Sequence, residues 1–160
     1  MKSNNIIRLL DSRGIQYTAY ELPAEKLGAV EAALLMGVPP EQVFKTIVVV
    51  RVGKGKPILA LTPGSYEVDL KSLARSLGEK KLILPTEKEA ERLTGLQAGG
   101  ISPLALLNQG FQVVIDETAI LYDEIFISGG QRGLDIRLPV EALVELTSAE
   151  FADFSHATTR

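Results

Sequence analysis

Two short stretches carry the residues of this chain that could do chemistry. Lys45 opens the apolar segment FKTIVVVRV (44–52), and the segment ISGGQRGLDI (127–136) combines three glycines with Ser128 and Asp135. A lysine is seldom buried without a partner. Lys45 is therefore either an edge residue whose ammonium reaches water, or a cation at the mouth of an apolar pocket that could bind a phosphate or an ester carbonyl. The glycine-rich segment is either a plain hairpin turn or a place where a ligand approaches the backbone beside two polar side chains.

A third unusual segment is QAGGISPLALL (97–107). Its adjacent glycines, Gly99 and Gly100, lose much backbone entropy on ordering, and Pro103 stiffens the exit from the bend. The segment predicts a bend where something comes too close to the backbone for a side chain to fit.

The composition excludes most common hydrolytic and metal chemistry. The chain of 160 residues has no Cys and a single His, His156, in the polar segment FSHATTR. Disulfides, thiolate metal sites, a cysteine nucleophile and a His-based triad are therefore not expected, and neither a metal nor a cofactor is predicted. The sequence has no Walker loop, no secretion signal and no membrane-spanning run. We expect a cytoplasmic protein that does not associate with a membrane.

The charge pattern gives a weaker signal. A net charge of −3 argues against tight nonspecific binding of nucleic acid. Basic residues do cluster locally, at Lys71, Arg75, Lys80, Lys81 and Lys88. They are either solvated faces of helices and turns or a weak patch that faces phosphates.

The elements that must position these residues alternate between short helices and short strands. Helical spacing and capping signals predict helices, with Asp69 as an N-cap and a capping box that begins at Thr86, over 4–12, 28–36, 69–78, 86–95 and 140–146. Apolar and β-branched runs predict strands over 15–22, 44–52, 57–63, 81–85, 112–116, 124–130 and 134–139.

The strongest strand, 44–52, is expected to be buried on both faces and to form an antiparallel hairpin with 57–63. No repeat or linker divides the chain. The pattern predicts one α+β domain over 1–160, with a curled, mixed, mainly antiparallel sheet surrounded by helices.

The three unusual segments, in this order, resemble the YbaK/EbsC family. The resemblance is carried by FKT at 44–46, GGISP at 99–103 and SGGQRGLDI at 128–136, and it extends from about Ile6 to Asp153. Members of this family are freestanding relatives of the editing domain inserted in bacterial prolyl-tRNA synthetases. The resemblance implies a trans-editing deacylase that clears misacylated tRNA(Pro), with Cys-tRNA(Pro) as the expected substrate.

The resemblance also implies roles for individual residues. The family's lysine falls on Lys45, which is expected to be catalytic. The residues expected to bind substrate are Tyr20, Thr46, Gly99, Gly100, Ile101, Ser102, Pro103, Ser128, Gly129, Gly130 and Asp135. We expect the terminal adenosine and its esterified amino acid to lie against Gly99 and Gly100, in a pocket shared with Lys45. Backbone N–H groups at these glycines could hold the ester carbonyl or the ribose, as the donors of an oxyanion hole do.

The implied reaction depends on positioning, because the chain offers no evident nucleophile and the aminoacyl ester is already reactive. Water, a ribose hydroxyl or the thiol of a cysteinyl substrate could attack the ester. The expected partner is the acceptor end of misacylated tRNA(Pro), and prolyl-tRNA synthetase is a second candidate partner. Two alternatives stay open: an Ala-tRNA(Pro) deacylase of the same fold, and a non-catalytic module that binds aminoacyl-tRNA or nucleotides.

Overall fold

The computed structural model describes residues 4–157, and the helices in that range are all short. Each α-helix has eight residues: α1 (Asn5–Ser12), α2 (Ala29–Met36), α3 (Leu70–Leu77), α4 (Glu87–Thr94) and α5 (Val140–Thr147). All of the predicted helices are present, and no end is shifted by more than one residue. Single 3₁₀ turns occupy Pro40–Gln42, Pro103–Ala105 and Glu117–Leu121. Within 4–157, no helix has both the length and the apolar character needed to cross a membrane.

The strands of the same range are also short. They are β1 (Thr18–Glu21), β2 (Phe44–Arg51), β3 (Ile58–Pro63), β4 (Tyr66–Val68), β5 (Leu82–Ile83), β6 (Gln112–Asp116), β7 (Glu124–Ser128), β8 (Leu134–Pro139), β9 (Glu150–Ala152) and β10 (Ser155–Ala157). Every predicted strand is present, although β1, β5 and β7 are shorter than predicted.

Strands β4, β9 and β10 were not predicted. The polar tail expected around His156 instead forms β10, which pairs with β4. The last three residues of that tail, 158–160, lie outside the described residues. These strands have only three residues each, which is too short for an alternating pattern to be recognised in the sequence.

The central sheet has five strands in the order β5-β2-β3-β6-β9. β2 and β3 form the predicted antiparallel hairpin, with Lys45 opposite Thr62, whereas β6 and β9 add in parallel. A second, antiparallel sheet, β1-β8-β7, meets β2 at a backbone bridge between Val43 and Phe126. The α+β class and the mixed, mainly antiparallel sheet are therefore confirmed.

The core lies on both faces of β3, in which every residue is buried. Leu59 and Leu61 enter one apolar cluster, and Ile58 and Ala60 enter another on the opposite face. The segment 44–52 was predicted to be buried on both faces. In the structure β3 is buried in this way, whereas β2 is only partly buried. Residues 45–47 are half-buried, because a cavity lies beside this part of β2.

Side-chain caps fix the first turns of three helices. Asn4, Asp69 and Thr86 each accept a hydrogen bond from a backbone N–H at the start of the following helix. Of the capping box predicted at Thr86, only the hydrogen bond from the N–H of Glu89 to the Thr86 hydroxyl forms. The carboxylate of Glu89 binds Arg92 instead. The cap at Thr86 still fixes the start of α4, whose first turns border the cavity.

The C-terminal segment is held by the carboxylate of Asp116, which is 1% exposed. One oxygen accepts from the backbone N–H groups of Phe154 and Ser155, at 3.2 and 3.0 Å. The other oxygen accepts from the N–H and the hydroxyl of Thr118, at 3.1 and 2.7 Å. Four donors compensate for the burial of this charged group. They also place the ring of Phe154 in the second core cluster.

Candidate functional site

A cavity of about 590 Å³ lies beside the first half of β2. Its walls come from five parts of the chain: β2, the segment 22–28 with the start of α2, the connection from β5 into α4, the loop 98–101, and the ends of β7 and β8. Most of the surface is apolar, as in many small-molecule sites. Among residues 4–157, no three His, Cys, Asp or Glu side chains are grouped so that they could hold a metal ion.

The cavity occupies a gap in the sheet. β5 pairs with β2 only over the last two residues of β2. Continuing that register would place Val48 opposite Pro85, which has no N–H to donate. At the other end, β7 meets β2 only at the bridge between Val43 and Phe126. Within the described part of the chain, no strand pairs with this edge of β2 over residues 44–49.

Lys45 lines the cavity from the first half of β2. Its side chain is half-buried, and its ammonium donates to the carbonyl oxygen of Gly64 at 3.3 Å. Burial lowers the pKa of Lys45, and the nearby carboxylate of Glu67 opposes part of that shift. Of the two interpretations of Lys45, this geometry supports a cation beside an apolar pocket.

The structure brings about half of the predicted site residues together. Those that line the cavity are Lys45, Thr46, Gly99, Ile101, Ser128 and Asp135. Tyr20 packs its ring against Phe126 at a centroid distance of 5.5 Å and is not among the lining residues. Ser102 and Pro103 are buried, and the Ser102 hydroxyl accepts from the N–H of Leu104 at the start of a 3₁₀ turn.

Three predicted glycines lie close against other parts of the protein. A Cβ atom on Gly100 would lie 2.9 Å from the backbone of Gln131. On Gly129 it would meet the side chain of Leu134 at 2.6 Å, and on Gly130 the side chain of Ile6 at 2.7 Å. Something does come close to the bend at Gly100, as the sequence predicts, but it is the backbone of Gln131. Contact between Gly100 and a ligand stays a prediction.

The loop around Gly99 is therefore tied to the turn between β7 and β8. Arg132 donates to the carbonyl oxygen of Ala98 at 2.7 Å, and Glu91 accepts from the N–H of Ala98 at 2.7 Å. Gly99 itself has a φ of +89° and lines the cavity. The glycine-rich segments thus build one wall by packing against each other.

Asp135 and Ser128 form the polar part of this wall. They are cross-strand partners in β8 and β7, and the Ser128 hydroxyl accepts from the N–H of Gly130 at 3.2 Å. Burial raises the pKa of Asp135 to about 6. The side chain therefore ionises close to neutral pH.

Sequence reasoning missed the wall opposite β2. It consists of the segment 22–28 and the start of α2, and it is joined to α4 by an ion pair of 2.6 Å between Lys26 and Glu87. Gly133 shares in this contact, because a Cβ there would lie 3.0 Å from the backbone of Ala24. The small residues of GAVEAA (28–33) were the one available signal for close packing.

Replacement of Gly100 tests the contact with Gln131. Gly100→Ala is expected to lower the free energy of unfolding by about 1–3 kcal/mol, because the added methyl group must displace backbone. Gly53→Ala is the matched control, since a Cβ at Gly53 meets nothing within 4 Å. Urea unfolding of the two variants measures the difference, and equal stabilities would contradict close packing at Gly100.

The raised pKa of Asp135 predicts a pH-dependent stability. The folded protein binds the proton of Asp135 more tightly than the unfolded chain, whose Asp titrates near pH 4. This carboxyl group therefore costs progressively more stability as the pH rises through about 4 to 6. The free energy of unfolding of Asp135→Asn is expected to exceed that of the wild type by up to about 2–3 kcal/mol near pH 8 and to match it near pH 4. A difference in unfolding free energy between Asp135→Asn and the wild type that does not vary with pH would contradict the burial effect.

Comparison with known proteins places most of the site in a matched region. Residues 24–146 match the family model of the aminoacyl-tRNA editing domain. The Enterococcus faecalis protein named "Putative Cys-tRNA(Pro)/Cys-tRNA(Cys) deacylase EbsC" is 35% identical over 156 residues, which are 96% of this chain and 94% of that protein. The proline–tRNA ligase of Limosilactobacillus fermentum is 29% identical over 79 residues, which are 48% of this chain and 14% of the ligase.

Solved structures agree with this result. A "putative trans-editing enzyme for prolyl tRNA synthetase" superposes with a TM-score of 0.79 at 29% identity, covering 98% of this chain and 100% of the other. The hypothetical protein APE2540 superposes with a TM-score of 0.86 at 25% identity, covering 96% of this chain and 100% of the other. The resemblance found in the sequence is confirmed, and the chain belongs to the aminoacyl-tRNA editing domain family.

Proposed function

We propose that this protein is a trans-editing deacylase that clears misacylated tRNA(Pro), with Cys-tRNA(Pro) as its main substrate. The observation that carries the proposal is the end-to-end match to EbsC, together with a cavity that contains a partly buried lysine. Such an enzyme answers a physical limit of the synthetase. A pocket that accepts proline discriminates weakly against smaller amino acids, because one methylene contributes only about 1–3 kcal/mol.

Lys45 is the proposed catalytic residue. Its ammonium would stabilise the negative charge that develops on the ester carbonyl oxygen in the transition state. The apolar wall beside Lys45 strengthens that interaction, since charges interact more strongly away from water. Thr46, Gly99 and Ile101 would contact the substrate, and Asp135, when ionised, would attract the α-ammonium group.

The remaining predicted residues are proposed to act by shaping the cavity. Tyr20, Gly100, Ser102, Pro103, Gly129 and Gly130 belong to this set. They are not among the residues that line the cavity, and their packing against neighbouring segments would hold the lining residues in place. Ser128 lies opposite Asp135 and would help to orient the amino acid.

The attacking group is proposed to be the thiol of the substrate itself. Its sulfur would bond to the ester carbonyl carbon, the bond from that carbon to the ribose oxygen would break, and the thiol proton would pass to the ribose oxygen. The products are a cyclic thiolactone and uncharged tRNA. A thiol is only a few per cent ionised at neutral pH, but its intramolecular position gives it a high effective concentration.

The proposed partners are the acceptor end of tRNA(Pro) and, for delivery of that tRNA, prolyl-tRNA synthetase. Matches to proline–tRNA ligases over 48% and 58% of this chain support the second partner. Residues 1–160 are proposed to form one editing domain, and the proposed location is the cytoplasm, where tRNAs are charged.

A panel of misacylated tRNAs tests the substrate and the attacking group together. On one tRNA(Pro) body, Cys is expected to be released at least about tenfold faster than Ser, because Ser replaces the ionisable sulfur by a much weaker nucleophile. Equal rates for Cys and Ser would favour water as the attacking group. Preferential release of Ala would identify an alanine-specific deacylase instead. Binding without turnover of any member would overturn the enzymatic proposal.

Lys45→Met tests the catalytic role while keeping an unbranched apolar side chain in the cavity wall. The expected loss in kcat/KM is about 100-fold, the size of one lost transition-state contact, with an unchanged circular dichroism spectrum. Lys54→Met is the matched control, because Lys54 is exposed in the loop between β2 and β3. Activity within about twofold of the wild type in a folded Lys45→Met protein would remove Lys45 from the mechanism.

A further inference from the structure

The open edge of β2 directs main-chain hydrogen-bonding groups into the cavity. In an antiparallel pair, successive residues turn their N–H and C=O groups alternately towards the partner strand and away from it. The N–H of Gly64 donates to the carbonyl of Val43, just before β2, at 2.7 Å. The N–H and C=O groups of the odd-numbered residues of β2 therefore point towards β3. Val50 accordingly lies opposite β5 on the outer edge. The N–H and C=O groups of Thr46 and Val48 therefore point into the gap.

Thr46 contributes a third polar group at the same place. Its hydroxyl oxygen is buried and has no hydrogen-bond partner among the described residues, and the residue lines the cavity. Buried polar atoms in proteins are nearly always paired, and an unpaired one lowers stability. A hydroxyl, an N–H and a C=O group at one residue are what a ligand with both donors and acceptors can satisfy.

The cavity changes in character along β2. Next to β7 and β8, its wall includes Ser128 and Asp135. Towards β5, the lining includes the apolar residues Val48, Leu84 and Pro85. The start of α4 adds Glu87, which is paired with Lys26. A small polar group suits the first end, and a flat, uncharged ring with hydrogen-bonding atoms on its rim suits the second.

We propose that the open edge of β2 at Thr46 and Val48 is the subsite for the terminal adenine of the tRNA, which hydrogen-bonds there as a missing strand would. The identity of this ligand rests on the proposed function. Adenine carries an amino donor beside a ring-nitrogen acceptor, which complements the C=O and N–H groups of one strand residue. The base then lies at the apolar end, the ester near Lys45 and the amino acid towards Asp135.

This arrangement separates two kinds of recognition. The amino acid is selected by side chains, which substitution can change, whereas the base is recognised by the backbone. Every charged tRNA ends in adenosine, so a backbone subsite for adenine holds any aminoacyl end in one register. The distance between the adenine base and the ester then determines which atom of the substrate lies beside Lys45.

The amide groups of β2 report directly on the subsite. The probe is 3′-alanylamino-3′-deoxyadenosine, in which a stable amide replaces the ester, and it is titrated into ¹⁵N-labelled protein. The amide protons of Thr46 and Val48 are expected to shift downfield. With the probe at about ten times its Kd, their exchange with solvent is expected to slow about tenfold. The amides of Ile47 and Val49, which face β3, are the internal control and are expected to shift little.

The matched probe carries purine in place of adenine and therefore lacks the amino donor. It is expected to bind at least about tenfold more weakly, because the carbonyl that faced the amino group is left unpaired. The subsite is overturned if the purine probe binds as tightly, if the shifts spare Thr46 and Val48, or if neither probe shifts any amide at millimolar concentration.

Deacylation provides the second test. Cys-tRNA(Pro) that ends in purine riboside is expected to lose at least about tenfold in kcat/KM. The control ends in 3-deazaadenosine, which keeps the amino group and its two neighbouring ring nitrogens, and it should stay within about twofold. Equal rates for adenosine and purine riboside would overturn the subsite while leaving the deacylase intact. If natural Cys-tRNA(Pro) is not turned over, the proposed function fails, and the amide response still decides the subsite.

Discussion

The incomplete pairing of β2 is the constraint on which the rest of the site depends. One edge of β2 is bonded to β3 over residues 44–49, and this hairpin anchors the strand in the core. The other edge is closed at its two ends by β7 and β5 and is open between them. Pro85 ends the pairing with β5, because its nitrogen carries no hydrogen. The proline thus leaves part of the edge of β2 unpaired, and this part forms a wall of the cavity.

The glycine-rich segments support this cavity from outside. Gly100 lies against the backbone of Gln131, and Arg132 holds the carbonyl of Ala98. These contacts leave Gly99 and Ser128 among the residues that line the cavity. Rigid packing behind a site is what holds a reactive ester within the small range of positions that a reaction without a protein nucleophile requires.

How far the sequence could predict this site depends on the kind of residue. Lys45 was recognisable, because a charged residue in an apolar strand has few structural explanations, whereas Asp135 was singled out by its place in the glycine-rich segment 127–136. Gly100 showed that something comes close, but a sequence does not reveal whether the neighbour is a ligand or the protein itself. The wall formed by residues 22–28 and α2 carries no chemical signature, since its contribution is shape. Strands β9 and β10 depend on contacts with Asp116 that are distant in the chain, and local propensity could not reveal them.

The hydrogen bonds that Asp116 accepts from the C-terminal segment have a consequence for folding during synthesis. Phe154 completes one of the two core clusters, and β9 and β10 close the outer edges of β6 and β4. These residues are synthesised after the strands that they cover, so part of the apolar surface stays uncovered until they have been added. A nascent chain that stops short of Phe154 would therefore expose part of this core cluster.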